Sequence, residues 1–505
     1  MLIKISQYEE RRQELIAIEG QLRSKMLIHQ PAVQKFIKLA YGTLNMDVYD
    51  LAISRLNLIL KFHATQEMRT PDEFRPHCPE QLSKTGQLHA IDQIDGLPIF
   101  IDHNKCVTGL GIFGPQGSGK SYVIVDVCSK IRQIDDSVKT LIIDAKGGFS
   151  DLKGYLHLDL REISFDLKPS DNAQLENFTN DFMPIFATDM GLIYSLDLLS
   201  QALDIALAQR KKIMDQTGMD PGLSLRDIFE ALKNIKVHTF RKQGYYDAAF
   251  TALSLILGRT ELFSCRHGVC LEWLFSKNVV LNARCLTHEF QCRFFIIFLL
   301  YWLYYKIRYV RGQNSLKQVI FIDDAPRFIG TSIESYSGDQ KRTSQLAHIL
   351  TVLRESRVCF GYSTQLPANV DPGVLALTRN AIVVGNINGD HNLKTIQNMM
   401  SLTDTQKKAI TRFKNREALL YISGHDWPYC LHGWTPTVDI SNYITENPIK
   451  PVIDIVPWHS LTDIPQQQTA EPKPSEDSAP SKPAIVTLVD NDTSTTKTFG
   501  AVDKL

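Results

Sequence analysis

Lys120, Ser121, Asp323, Asp324 and Gln365 are the side chains of this sequence best suited to chemistry, and the chemistry they suit is phosphoryl transfer. Lys120 and Ser121 close the run Gly114-Pro115-Gln116-Gly117-Ser118-Gly119-Lys120-Ser121, with the glycine spacing of a phosphate-binding loop. Glycines let successive backbone N–H groups turn inward on phosphate oxygens, and a helix beginning at the loop's end adds its positive N-terminus. Lys120 is expected to reach the β- and γ-phosphates, and the Ser121 hydroxyl to complete a Mg²⁺ site. All eight residues are candidate contacts for a nucleoside triphosphate, with ATP the expected cofactor.

The second element of the chemistry is Val319-Ile320-Phe321-Ile322-Asp323-Asp324-Ala325. Four apolar residues followed by two acids describe a core strand whose carboxyl end meets the nucleotide. Asp323 is the candidate Mg²⁺ ligand, acting through water, and Asp324 the candidate for polarising an attacking water. A third element follows one helix later, where Arg354-Glu355-Ser356-Arg357 precedes a strand ending Tyr362-Ser363-Thr364-Gln365. Gln365 is expected to sense the γ-phosphate and orient water.

These residues need a scaffold that delivers strand ends to one edge. Val107 to Phe113 reads as a strand into the loop, Tyr122 to Ile131 as the helix out of it, and Leu141 to Asp144 as a second buried strand. Apolar runs at Val279–Leu281, Val319–Ile322, Cys359–Tyr362, Ala381–Val384 and Ala418–Ile422 alternate with helical segments. Buried strands separated by helices predict an α/β fold with a largely parallel sheet. Residues 1–90 read as an N-terminal helical region, with Ile5, Tyr8, Leu15, Ile18, Leu22 and Met26 at helical spacing and a further helical pattern after Pro31. Residues 91–160 and 265–445 form the expected core, and 161–264 a helical insertion. Within the insertion, Leu192, Leu196, Leu199, Leu203 and Ala206 form a stripe, and Ser224 is an N-cap. Residues 446–505 form a C-terminal extension, with disorder expected from about 465, where Pro, Ser, Thr, Glu and Lys dominate. One apolar island, Ala484 to Val489, is a candidate strand for a partner's sheet edge.

Composition sets bounds on function. The 505 residues carry 55 basic and 55 acidic side chains, so no global charge excess argues for nucleic acid. The nine cysteines have no disulfide-like framework and read as reduced thiols. Cys265, His267 and Cys270 lack a second ligand pair at zinc spacing. The most apolar run, Phe294 to Tyr305, is 12 residues long, well short of the ~20 that span a bilayer, and reads as a buried helix. A cytoplasmic location, with no intrinsic membrane span, is the expectation.

The four motifs in order resemble the FtsK/HerA superfamily of RecA-like P-loop ATPases, which includes DNA translocases and the coupling ATPases of type IV secretion. Ser363-Thr364-Gln365-Leu366-Pro367 resembles that superfamily's Thr-Gln-x-Pro strand end, and Ile143-Asp144-Ala145-Lys146-Gly147 its Asp-Pro-Lys-Gly segment. The resemblance covers roughly residues 95–440. It implies a homo-hexameric ring with ATP at subunit interfaces and an arginine completing the neighbour's site, for which Arg354, Arg357 and Arg379 are candidates. It also implies DNA as cargo, with Arg210-Lys211-Lys212, Lys341-Arg342 and Lys407-Lys408 with Arg412, Lys414 and Arg416 as candidate phosphate contacts and Gly330 to Ser344 as a pore loop. Relatives carry glutamate where Asp324 stands, which suggests slow or assembly-dependent hydrolysis. Coupling proteins commonly carry an N-terminal membrane anchor, and none is visible here, so for that branch the expectation is a soluble form or one that docks on a membrane partner. Three readings stay open: a motor on DNA, a secretion or conjugation ATPase recruiting protein cargo, and a nucleotide-switched scaffold regulating a partner such as a nuclease.

Overall fold

The computed structural model describes residues 2–24, 27–29, 31–43, 45–67, 74, 86–93, 96, 98–165, 167, 172–258, 261–266, 268–307, 315–330, 345–422, 430–436, 443–445, 448–449, 452–453, 486–488 and 497–498. The chain divides into two compact units. One contains Met1–Cys106, Ile112–Ile134 and Arg379–Val438, and the other Val107–Gly111, Asp135–Thr378 and Asp439–Leu505. The strands are, in chain order, β1 (Leu88–Gln93), β2 (Pro98–Ile101), β3 (Leu110–Phe113), β4 (Lys139–Asp144), β5 (Leu156–Asp159), β6 (Val279–Asn282), β7 (Gln318–Ile322), β8 (Val358–Thr364), β9 (Asn380–Val384), β10 (Glu417–Ile422) and β11 (Leu431–Trp434).

In the second unit the strands run in the order β8-β7-β4-β6-β5, every pair parallel. All residues of β7 and β8 are buried, which is why these strands read as unbroken apolar runs rather than alternating ones. The register sets Ile322 level with Ile143 on one side and Tyr362 on the other. The residues that follow each of these three positions therefore emerge together at the strands' carboxyl ends. The first unit differs. There β10 pairs antiparallel with β9 and with β11, and β1 antiparallel with β11 and with β2. The apolar run Ala418–Ile422 is thus a strand, but an antiparallel one.

The helical insertion comprises helices Asn172–Asp189, Leu196–Thr217, Leu225–Lys233 and Phe240–Leu257. Ser224 caps the third of these. Its hydroxyl accepts the Asp227 N–H while the Asp227 carboxylate accepts the Ser224 N–H at 2.9 Å, a reciprocal capping box. Arg266 donates twice to the same buried carboxylate, at 3.0 and 2.8 Å, and holds the helix start in place. The apolar run becomes the buried helix Glu289–Ile307, against which Phe182, Phe186 and Phe263 pack. The Phe263 and Phe294 rings meet edge-on at 4.7 Å, a geometry worth about 0.5–1.5 kcal/mol beyond the area buried.

Helices Leu2–Ser24, Pro31–Gly42 and Met46–Glu67 occupy the N-terminal region, and Leu15, Ile18 and Leu22 lie in a core shared with Val33 and Leu56. The apolar island near the C-terminus supplies a strand, Val486–Leu488, that pairs within this chain. It lies antiparallel between Val452–Ile453 and Lys497–Thr498. Other residues of the expected disordered tail lie outside the described set, as do His267, Lys341, Arg342 and the segment 331–344. Among the described residues no helix is long and apolar enough to cross a membrane.

Candidate nucleotide site

The glycine loop occupies the first unit, between the buried strand β3 and the helix Lys120–Ile134. It is held close to β9. A Cβ on Gly114 would stand 2.1 Å from the Val384 carbonyl oxygen, so only glycine permits the approach. Gly117 and Gly119 have φ of 74° and 102°, the left-handed region, and a Cβ on either would meet nothing within 4 Å. The turn therefore opens onto free space rather than onto packed protein. Lys120 is buried at the first position of the helix, and its ammonium arches back to donate to the Pro115 carbonyl oxygen at 2.6 Å. Ser118 is buried, and its hydroxyl finds no partner among the described residues. Ser121 and Gln116 are exposed. An ammonium held by a carbonyl of its own loop, a hydroxyl with no partner among the described residues and a glycine turn facing open space fit a bound polyphosphate.

The acid pair belongs to the second unit, where the carboxyl ends of β4, β7 and β8 bring Asp144, Asp323 and Ser363 together. Asp323 is 4% exposed and accepts a 2.5 Å hydrogen bond from the Ser363 hydroxyl. The same hydroxyl accepts the Asp324 N–H at 3.4 Å, so Ser363 bridges both acids. Asp324 takes φ of 62°, uncommon outside glycine, and its carboxylate lies 3.3 Å from the Lys146 ammonium. Lys146 is placed by Asp144. That carboxylate accepts the N–H groups of Lys146, Gly147 and Gly148 at 3.0, 2.6 and 3.2 Å on one oxygen and that of Phe149 at 3.0 Å on the other. Arg284 donates to the Lys146 carbonyl at 2.6 Å and fixes the turn from its other side.

Burial pushes the Asp323 carboxyl above the usual range, the hydrogen bond from Ser363 and the charge of Lys146 pull against that, and Asp144 and Asp324 add to it. Asp144, Asp323 and Asp324 outnumber the one ammonium paired here, that of Lys146 on Asp324, and this surplus negative charge suits a cation. Among the described residues no group of three or more His, Cys, Asp or Glu side chains forms a metal cage. The donor set fits Mg²⁺, which characteristically keeps waters and takes one or two carboxylates plus phosphate oxygens. Cys265 is buried and Cys270 exposed, so these two thiols do not face a common ion.

Gln365 follows the last residue of β8 and is half-buried at the acid end of that strand. Arg354 and Arg357 are not brought to this end. Both precede β8, whose seven residues separate them from Gln365 by roughly 20 Å of extended chain. Arg354 lines a small pocket with Leu350, Phe360 and Leu377, and Arg357 turns the chain with φ of 64°. Arg379 is exposed just before β9. Among the basic clusters, Arg210 is a structural strut. It is buried and paired with both oxygens of Asp220 at 2.8 and 2.7 Å. Lys407 lies within 4 Å of Asp390 and Asp404, whereas Lys408, Arg412, Lys414 and Arg416 are exposed. Lys146 and Ser363 were both inside recognised segments, yet no local signal assigned them a contact.

No protein-family model matches the sequence, and no curated protein is significantly similar to it. The bacterial conjugative coupling protein TrwBdeltaN70 in its unbound form is 13% identical and superposes with a TM-score of 0.52. The match covers 73% of this chain and 92% of that one. This chain has the TrwB fold. The TrwB complex with ADP and Mg²⁺ gives a TM-score of 0.51 at 15% identity, over 74% of this chain and 95% of that one. VirB4 of Thermoanaerobacter pseudethanolicus is 13% identical, with a TM-score of 0.47, over 72% of this chain and 99% of that one. The sheet with its helices is that of a RecA-like P-loop NTPase fold, with helical regions besides.

Proposed function

We propose that this chain is an ATP-hydrolysing motor of the coupling-ATPase kind, assembled as a homo-hexameric ring and acting on DNA in conjugation or type IV secretion. The observation that carries the reading is the open glycine turn at Gly117 and Gly119 with the Lys120 ammonium folded over it. TrwB, which shares the fold, is solved with ADP and Mg²⁺, and this supports the same ligands here. When bound, ATP supplies the labile phosphoanhydride and Mg²⁺ neutralises charge on its phosphate oxygens. Lys120 would exchange the Pro115 carbonyl for phosphate oxygens, and Ser121 and Asp323 are the residues that would hold Mg²⁺, which would neutralise phosphate charge. Asp324 accepts the proton of the attacking water once the Lys146 ammonium withdraws, and Gln365 orients that water. Arg354 or Arg357, remote from Gln365 along β8, serves a neighbouring subunit's site rather than its own.

The test is steady-state ATP turnover with and without duplex DNA, on material sized by light scattering. A ring whose turnover rises with DNA, and less so at high salt, is expected. A ring with turnover indifferent to DNA sinks the DNA motor. Mixing Lys120→Ala with Arg354→Ala subunits should restore turnover that neither variant has alone if the arginine works in trans. A second reading, the nucleotide-switched scaffold, is favoured by the Lys146–Asp324 ion pair, which occupies the carboxylate needed for hydrolysis. It predicts ATP-driven assembly with very low turnover.

A further inference from the structure

The helical insertion carries a surface that neither the nucleotide site nor the fold explains. Phe240 opens the helix Phe240–Leu257 and is 98% exposed, so its ring contributes nothing to packing. Five residues on, about 140° further round the helix, Tyr245 stacks on Tyr194, with ring centres 5.5 Å apart and planes 17° from parallel. Tyr194 is 68% exposed, which leaves the outer face of the stack open to solvent. Arg241 donates to the Tyr245 hydroxyl at 2.8 Å and lies 5.8 Å from its ring centre, so a guanidinium borders the stack. The neighbouring helix repeats the arrangement. Phe229 stands 5.0 Å from Phe250, and the Lys233 ammonium sits 4.5 Å over the Phe229 ring. Between them the run 236–246 contains Lys236, Arg241 and Lys242 and no acidic residue. Lys242 lies 3.7 Å from Asp197, and Lys233 is paired with Glu230 at 2.7 Å.

Aromatic faces left open and interleaved with cations match a particular ligand chemistry: flat π-systems joined by phosphates. A base stacks on an aromatic ring whatever its sequence, while arginine and lysine hold the backbone. A duplex keeps its base faces inside and offers only phosphates, so stacked tyrosines give it nothing. We propose that the face formed by Tyr194, Arg241 and Tyr245, with the exposed Phe240 ring at the start of the same helix, is a stacking site for single-stranded nucleic acid. It gives a single-stranded cargo a first contact on the insertion, and it rests on the proposed motor for its purpose but not for its binding.

The test is fluorescence anisotropy of the full chain with an oligothymidylate and an oligouridylate of about 12 nucleotides and a duplex of matching length. Single strands should bind more tightly than the duplex, with a log–log salt slope of about −2 for three phosphate contacts. The tighter of the two single strands identifies the nucleic acid. Tyr194→Ser and Phe240→Ser, both at exposed positions, should each weaken binding by roughly 5- to 100-fold and leave basal ATP turnover unchanged. Arg241→Ala should lower the salt slope by about 0.7. The proposal is overturned by failure of the parent chain to bind either single strand, or by unchanged affinity in the Tyr194→Ser/Phe240→Ser double variant. Binding to phosphatidylserine vesicles but not to oligonucleotides, lost in that double variant, overturns it in favour of a membrane surface. Asp324→Ala removes turnover without touching this face, so failure of the ATPase reading and failure of this site are read separately.

Discussion

The glycine loop and the acid strand end face the same task with opposite preparations. The loop is made of main chain. Its glycines leave open space, its lysine is satisfied by a carbonyl of the loop itself, and its Ser118 hydroxyl has no partner among the described residues. At the acid end every carboxylate is already occupied: Asp144 by four N–H groups, Asp323 by Ser363 and Asp324 by Lys146. The difference teaches where affinity and where control reside. The loop gains its missing hydrogen bonds from phosphate and so provides binding. On the function proposed above, the acid end gives up contacts before it acts and so provides the timing.

That contrast is open to attack from both sides. Lys120→Ala removes the loop's only ammonium and should cut turnover by about 10³-fold, as loss of a preorganised charge does, with thermal stability unchanged. A turnover near that of the parent would break the assignment of the loop. Asp324→Ala should lower turnover by about 10²–10³-fold yet retain nucleotide, read by fluorescence of a labelled ATP analogue. Loss of nucleotide binding would mean that the two ends do not divide the work in this way. Lys146→Met sharpens the account of timing. Lys146 is 44% exposed, so the ion pair is worth no more than about 1 kcal/mol, and basal turnover should rise at most about fivefold. A fall instead would mean that Lys146 serves the phosphates rather than restraining Asp324. The smallest effect is one of stability. Asp323 has its carboxyl raised by burial, so its charged form is disfavoured in the fold and costs stability at neutral pH. Asp323→Asn should therefore stabilise the chain by about 0.5–2 kcal/mol while abolishing turnover. The gain should shrink as pH falls through the raised value, because the parent carboxyl is then neutral as well. Thermal denaturation at several pH values reads this directly.

The loop and Asp323 were legible in the sequence because each depends on its immediate neighbours. A strand, a glycine turn and a helix follow one another, and an apolar run ends in an acid. Ser224 was legible as a cap for the same reason. The contacts of Lys146 and Ser363 were not, because they depend on the register of β4, β7 and β8, strands set by pairing between residues far apart in the chain. Arg354 and Arg357 stand a few residues before Gln365 in sequence, and the extended strand between them converts that short sequence distance into a long spatial one. The antiparallel pairing of β10 was hidden because a strand buried on both faces has the same apolar pattern in either direction.

Asp324 bears a positive φ where relatives of the resembled superfamily carry glutamate, and this backbone gives its identity a reason of its own. Aspartate and asparagine enter the left-handed region more readily than longer side chains, since a short polar group can satisfy itself locally. The residue is therefore chosen by the main chain as much as by the reaction. Restoring the missing methylene with Asp324→Glu would lengthen the reach and at the same time oppose the turn that aims it. A change that looks like a repair of the motif would, on this backbone, pull the carboxylate away from the water it has to meet.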